Sequence, residues 1–307
     1  MRHRHRRAPI PFALLAAAAC AAGGPSAPAP PAPGAALAPH RVVDAEAGRP
    51  LDLRALAGRA AAADVVFFGE LHDDAGTHRV QHALLAALAE RRDTVVLSLE
   101  MFERDVQPVL DDYLAGRITE ERFLAAARPW PNYATDYRPL VALARARGWP
   151  VVAANVPRRY AAMVAAGGLD TLRTLPAAER AAFIAREIAC PRDAYFERFL
   201  AAMGGHAGAG ADAAMVRYYH AQCVKDETMA ESIVAARSRW PGALVLHVTG
   251  AFHSDFGQGI PARVARRAPA TRVLLVTGVP VEDLDQLPVR QNRERADVLV
   301  FTRDGAG

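Results

Sequence analysis

Lysine is nearly missing from this chain: of its 37 basic residues only one, Lys225, is not arginine. That excess of arginine, matched by alanine, reads as genomic bias rather than as a functional surface. Four arginines (Arg2, Arg4, Arg6, Arg7) crowd the first seven residues, and with them set aside the basic count equals the 33 acidic residues. A neutral body offers no basic face, so nucleic acid is not an expected partner. There is no G-x-S-x-G elbow, which disfavours a serine nucleophile. Nucleotide binding lacks support, because the chain has neither a P-loop nor a complete G-x-G-x-x-G after a strand. No repeat recurs at solenoid periods. What remains is 307 residues, 51% hydrophobic and 23% charged, a globular composition that one large α/β domain with an insertion would absorb.

The amino terminus reads as an address. A basic stretch, MRHRHRR, precedes PFALLAAAA, an apolar run too short to span a bilayer, and the run closes on Ala17-Ala18-Ala19-Cys20. Small residues before a cysteine resemble a bacterial lipobox, so residues 1–20 are expected to be a lipoprotein-type signal with Cys20 lipidated. Ordinary secretion is the alternative. Residues 21–41 are a Pro/Ala-rich tether, and folding is expected from about Val42, giving a domain over 42–303. Cys190 and Cys223 then form an even remainder. In an exported protein that permits one disulfide, the other reading being two buried free thiols.

Continuous apolar runs at Asp64–Glu70, Thr94–Glu100 and Pro150–Pro157 predict strands buried on both faces. Helical spacing lies between them, over Thr77–Arg92, Asp105–Leu114, Thr119–Ala127 and Leu140–Arg147. Arg128–Pro139, rich in proline and aromatics, reads as an ordered loop. This alternation predicts an α/β fold, a mostly parallel sheet with flanking helices. From about 158 to 240 the pattern is helical only (Pro176–Ile188, Asp193–Met203, Ala211–Arg237, with a glycine-rich break containing His206), and it predicts an inserted helical cap. Strands resume at Ala243–Gly250, Arg272–Gly278 and Asp297–Thr302.

Chemistry in parallel sheets collects at the carboxyl ends of strands. Three predicted strands end there in polar residues: Glu70 with His72, Glu100 with Arg104 one turn on, and Gly250 followed by His253. Two G-x-x-H turns and an acidic strand end predict one shared cleft. Its imidazoles and carboxylates suit a divalent metal (Glu70, His72, Glu100, His253) or acid–base work. His78 is placed to reach the cleft, His82 less so, and His247 reads as a core histidine.

The segments carrying these residues, together with the aromatic loop and the long cap helix, resemble the ChaN-like haem-binding lipoproteins. These are a branch of the group that includes Tiki, TraB and erythromycin-esterase-type proteins. The resemblance rests on five blocks in order: GELHDDAGTHRVQ (from Gly69), LEMFERDVQPVL (from Leu99), PWPNYATDYRPLVALARARGWPVVAANVPR (from Pro129), HAQCVKDETMAESI (from His220) and VTGAFHSDFGQGIPARV (from Val248). It implies haem binding at the bacterial cell envelope, a lipid anchor, a role in haem or iron uptake, and a homodimer with haem in its interface. Candidate haem ligands are Tyr133, Tyr137, Tyr218, Tyr219 and His220, with Arg158 and Arg159 as propionate partners. Covalent c-type attachment is excluded, since no C-x-x-C-H occurs. The wider group implies a different activity, a metal-dependent peptidase or esterase. On that reading Glu70, His72, Glu100, Arg104 and His253 carry over as catalytic residues.

Overall fold

The structure is a computed structural model that describes residues 39–204 and 213–303. The signal segment with Cys20, most of the tether and His206 lie outside the described residues. Eight strands form one sheet: β1 (His40–Asp44), β2 (Pro50–Leu51), β3 (Val65–Glu70), β4 (Val95–Glu103), β5 (Val151–Asn155), β6 (Leu244–Gly250), β7 (Val273–Val281) and β8 (Val298–Arg303). Their spatial order is β2-β1-β8-β7-β3-β6-β4-β5. The six strands from β3 to β8 run parallel, and each of them was expected from an apolar run. Strands β1 and β2 were not expected; they add an antiparallel edge beyond β8.

Helices α1 (Leu53–Ala62), α2 (Ala75–Leu88), α3 (Gln107–Leu114), α4 (Glu120–Ala127) and α5 (Arg138–Ala146) belong to one side. Leu56 of α1, Leu84 and Leu88 of α2 and Leu140 of α5 meet Val66, Phe68, Leu97, Leu246 and Val300 in the larger core. Between β5 and β6 lies the predicted helical insertion: α6 (Arg158–Gly167), α7 (Ala177–Phe183), α8 (Ala194–Ala202) and α9 (Ala213–Arg239). Its first part has aromatic clusters of its own, such as Tyr195, Phe196, Phe199 and Tyr219. The second half of α9 does more than cap. Met229, Ala230, Ile233 and Ala236 pack with Val65, Phe67, Val96 and Val245 and cover the other sheet face, joined by Ile260 and Val264 of α10 (Ile260–Arg267). A short helix, α11 (Val289–Asn292), precedes β8. Among the described residues no helix is long and apolar enough to cross a membrane.

The helix expected over Pro176–Ile188 ends early, at Phe183. Backbone N–H groups beyond it bond to α9 instead of to helical carbonyls. Ala185 donates to Thr228 Oγ1 (3.2 Å), Arg186 to Glu231 Oε2 (2.9 Å) and Ala189 to Glu227 Oε1 (3.1 Å). Side-chain acceptors on a neighbouring helix outcompete local helix propensity there.

Candidate active site at the tips of three neighbouring strands

Strands β3, β6 and β4 are adjacent, with β6 in the middle, so their carboxyl ends share one rim. Glu70 is in register with Gly250 across the β3–β6 pair. Glu100 follows Leu99, the last β4 residue paired with β6, and β4 changes register against β5 just beyond it. The three tips expected to converge therefore do so.

Glu70 is fully buried and saturated. Oε1 accepts from Tyr137 Oη (2.6 Å) and lies 3.0 Å from His72 Nδ1. Oε2 accepts from Gln81 Nε2 (2.6 Å) and lies 3.4 Å from His78 Nδ1. Burial alone would raise this carboxyl, but hydrogen bonds from His72, His78 and Tyr137 and the charge on His78 outweigh it and hold it below its usual value. The same partners act back on His78. Burial opposes its charge, yet Glu70 and Asp136 push it up to about 9. Helix α2, which presents His78 and Gln81, starts at the N-cap Asp74, whose Oδ1 accepts from the Gly76 N–H (3.0 Å).

Glu100 and His253 form the second half. Glu100 Oε2 accepts from Thr249 Oγ1 (2.6 Å) and the Gly250 N–H (2.8 Å), and Oε1 sits 3.3 Å from His253 Nε2. On its other side His253 Nδ1 meets Asp226 Oδ1 of α9 at 2.5 Å, with Gln222 Nε2 at 3.1 Å. Burial disfavours charge on His253, but two flanking carboxylates reverse this and push it up to about 10. Glu100 is held well below its ordinary value: burial raises it, and the charge of His253 outweighs the burial. His253 is thus a locked imidazolium.

His72 joins the halves. Its ring lies over Gly250, where a Cβ would fall 2.9 Å from both Cε1 and Nε2, so only glycine admits the imidazole. Trp130 packs edge-on at 4.7 Å, and Asn132 Nδ2 donates to the His72 carbonyl (2.7 Å). The side chain remains 42% exposed, whereas Glu70, Glu100, His78 and His253 are buried. Its pKa is raised: burial lowers it, and the bond to Glu70 and the charge of Glu100 more than compensate. This is the titratable group through which the cluster meets solvent. With Glu70 accepting from Nδ1, it can take up and release a proton at Nε2.

Several expectations need correction. Arg104 is not in the cleft. It fastens the end of β4 to α9, donating to Ser232 Oγ (2.9 Å), Glu231 Oε1 (3.1 Å) and the Thr228 carbonyl (2.8 Å). The metal set Glu70, His72, Glu100 and His253 is not arranged as ligands. Among the described residues no group of three His, Cys, Asp or Glu could hold a metal ion. The oxygens of Glu70 and Glu100 and both nitrogens of His253 are committed to hydrogen bonds and ion pairs within the cluster. Tyr133, Tyr137 and Tyr219 are buried: Tyr133 packs against Phe102 and Phe123, Tyr137 serves Glu70, and Tyr219 donates to the Pro191 carbonyl (2.8 Å). Arg158 and Arg159 are engaged with Glu103 (2.6 Å) and Asp105 (2.7 Å). Cys190 and Cys223 are free thiols rather than a disulfide. His247 is the expected core histidine, with Nδ1 2.9 Å from Ser98 Oγ; burial drives its pKa down to about 4.

Two haem-ligand candidates remain accessible, both on α9. Tyr218 is 49% exposed, and His220 is half-buried with Nδ1 buried and unpartnered. Burial first, then the charge of Arg192, lowers the His220 pKa, so the imidazole is neutral at pH 7 and offers a lone pair. The neutral imidazole of His220 would suit haem iron as a ligand. Sequence reading missed Asp226, Gln222 and Gln81. Asp226 and Gln222 were legible only as polar residues one turn apart on a helix facing the sheet tips.

The fold and its strand-tip cluster define an α/β protein with a mostly parallel sheet and a buried His/carboxylate site under a helical insertion. The family described as haem-binding uptake, Tiki superfamily, ChaN, matches residues 56–264, and the chain belongs to it. A structure described as cofacial heme binding to ChaN of Campylobacter jejuni superposes with a TM-score of 0.61 at 15% identity, over 85% of this chain and 96% of that one; the two share a fold. An erythromycin esterase in its open conformation matches with a TM-score of 0.45 at 14% identity, over 79% of this chain and 77% of that one. The chloroplastic Protein RETICULATA-RELATED 5 of Arabidopsis thaliana is 28% identical over 195 residues, 59% of this chain. The chain spans about a quarter of that relative's length.

Proposed function

We propose that this protein is a haem-binding lipoprotein of the bacterial cell envelope, anchored through Cys20 and serving haem or iron uptake as a homodimer. Membership of the haem-binding uptake family over residues 56–264 carries the reading. Bound haem would supply an iron centre for ligation by this chain's side chains. On this chain either Tyr218 or His220, two residues apart and so on different faces of α9, would hold it. Arg192, whose charge reaches His220 and whose guanidinium lies over Phe196 (5.5 Å), replaces Arg158 and Arg159 as the nearby propionate partner. A Soret titration with haemin tests this. Saturable binding is expected for the mature protein, weakened about tenfold or more by His220→Ala or Tyr218→Phe, in line with the loss of one iron ligand worth at least a charge-assisted contact. No saturable shift removes the reading. Localisation is tested by membrane fractionation, where Cys20→Ser is expected to release the protein into the soluble fraction.

The strand-tip cluster favours a second reading, a hydrolase acting on esters or peptides without a bound metal. Buried titratable groups with strongly shifted pKa values, facing one half-exposed histidine, mark functional sites. Here Glu70 orients His72 by accepting from Nδ1, and His72 Nε2 takes the proton of an attacking water. Ester and peptide hydrolysis by wild type, unaffected by chelator and abolished by His72→Ala, is the expected outcome; equal rates for the two proteins would sink it.

A further inference from the structure

Residues 184–193 form a strap with neither helix nor strand, laid along α9 and held by its side chains. Its attachments follow one helical face at four-residue intervals. The Pro191 carbonyl accepts from Tyr219 Oη, the Ala189 N–H donates to Glu227 Oε1, and the Arg186 N–H donates to Glu231 Oε2. The missing rung, between Tyr219 and Glu227, is Cys223, and the strap residue between Pro191 and Ala189 is Cys190. Both belong to the same apolar cluster, and Cys190 is close enough to act on the Cys223 thiol. Cys223 is buried and Cys190 half-buried.

We infer that Cys190 and Cys223 are a dithiol lock: oxidation joins them and clamps the strap onto the turn of α9 that holds His253. The oxidant is an external disulfide, either oxidised glutathione or a protein dithiol oxidase. Cys190, the accessible partner, attacks as thiolate and forms a mixed disulfide, releasing one external thiol. Cys223 then loses its proton and attacks Cys190 Sγ, forming the internal S–S bond and releasing the second external thiol. Two electrons and two protons pass to the oxidant. Burial holds the Cys223 thiol above its ordinary pKa, which makes the second step the slow one. The consequence reaches the strand tips, because Asp226 lies one turn on from Cys223 and accepts from His253 Nδ1. This lock goes beyond the haem and hydrolase readings and depends on neither.

The full chain carrying Cys20→Ser contains two thiols and is the protein to test. After equilibration with oxidised glutathione, thiol titration in denaturant should fall from two to none. Peptide mapping should join Cys190 to Cys223 within one chain. Tryptic cleavage after the exposed Arg186 and Arg192 should slow about tenfold relative to the dithiothreitol-treated form, since cross-links suppress local opening. The same chain with Cys190→Ser, a half-buried position that tolerates serine, should show no redox dependence of cleavage. Two titratable thiols after oxidation, or equal cleavage rates in the two redox forms, overturns the inference.

Discussion

A carboxylate in a dry interior stays ionised only if its neighbours make it so, and Glu70 and Glu100 each combine neutral donors with a histidine charge. Glu70 accepts from Tyr137 and Gln81 beside His78, and Glu100 from Thr249 and the Gly250 N–H beside His253. The His253 charge has a pH signature. Its folded pKa of about 10 lies above the ordinary 6.5, so the stability it confers is complete below about 6.5 and declines as pH rises. It is gone above about 10. Glu100 behaves oppositely, contributing above 4.5 and losing that contribution as pH falls through its lowered folded value. Asp226→Asn removes one of the two carboxylates flanking His253. Melting temperatures of wild type and variant should differ most at pH 6 and converge toward pH 10; a gap independent of pH would refute the imidazolium. Glycine sets a second residue-level constraint. Gly259 has φ +59°, and a Cβ there would fall 2.2 Å from the His253 carbonyl oxygen. Gly259→Ala is expected to cost at least about 1 kcal/mol in urea unfolding, from the left-handed backbone alone. The histidines and glutamates were legible because each stands at the polar end of an apolar run. Asp226 was not, because nothing in a helix of mixed polarity says which turn will face a sheet tip 27 residues further on.

Helix α9 serves two neighbourhoods at once. Its first half carries Tyr218 and His220 near the surface and Gln222 and Asp226 over the cleft, while Met229 to Ala236 seal a sheet face. A sequence pattern averages such faces into an uninformative mixture, which is why the element was predicted and its double role was not. The strap illustrates the converse. Pro176–Ile188 has helical spacing, but the acceptors that end the helix at Phe183 belong to α9, far along the chain. Arg104 shows the same effect for a side chain: one turn past Glu100 it looked catalytic, yet helix geometry turns it toward Ser232 and Glu231. Because it joins β4 to α9 with three hydrogen bonds from a largely buried guanidinium, Arg104→Ala should destabilise by about 2–3 kcal/mol. Hydrolysis or haem binding, measured well below the melting temperature, should change little. Ile233→Ala, deep against the sheet, should cost about 2–5 kcal/mol through the cavity it leaves. If Arg104→Ala abolished activity in a protein of unchanged stability, its assignment as a fastener would fail.

Six apolar runs predicted six parallel strands, but strand order is a property of the assembled sheet. That order is what brings Glu70, Gly250 and Glu100 side by side. The edge strands β1 and β2 escaped because they are short and partly polar, and β8, which joins β1 to the sheet, lies more than 250 residues further on. The same distance between sequence and assembly separates a haem-binding chain from a haem-binding dimer. In the proposed homodimer the two-fold axis would pass near the exposed part of α9, since Tyr218 and His220 are the accessible candidate ligands and an isologous interface presents the same patch twice. Iron ligation from both copies would then make assembly depend on haem, by the mass action of a ligand that binds the dimer better than the monomer. Sedimentation velocity on the soluble Cys20→Ser protein should show one subunit per particle without haemin and two with it. Tyr218→Phe or His220→Ala, whichever removes the iron ligand, should shift the dimer to higher haemin and protein concentrations. Tyr133→Phe should leave it unmoved, since that ring is sealed beneath Phe102 and Phe123 and its hydroxyl makes no hydrogen bond to another described residue. A dimer that forms equally well without haemin, or that ignores both α9 substitutions, would place the interface and the ligand elsewhere on the molecule.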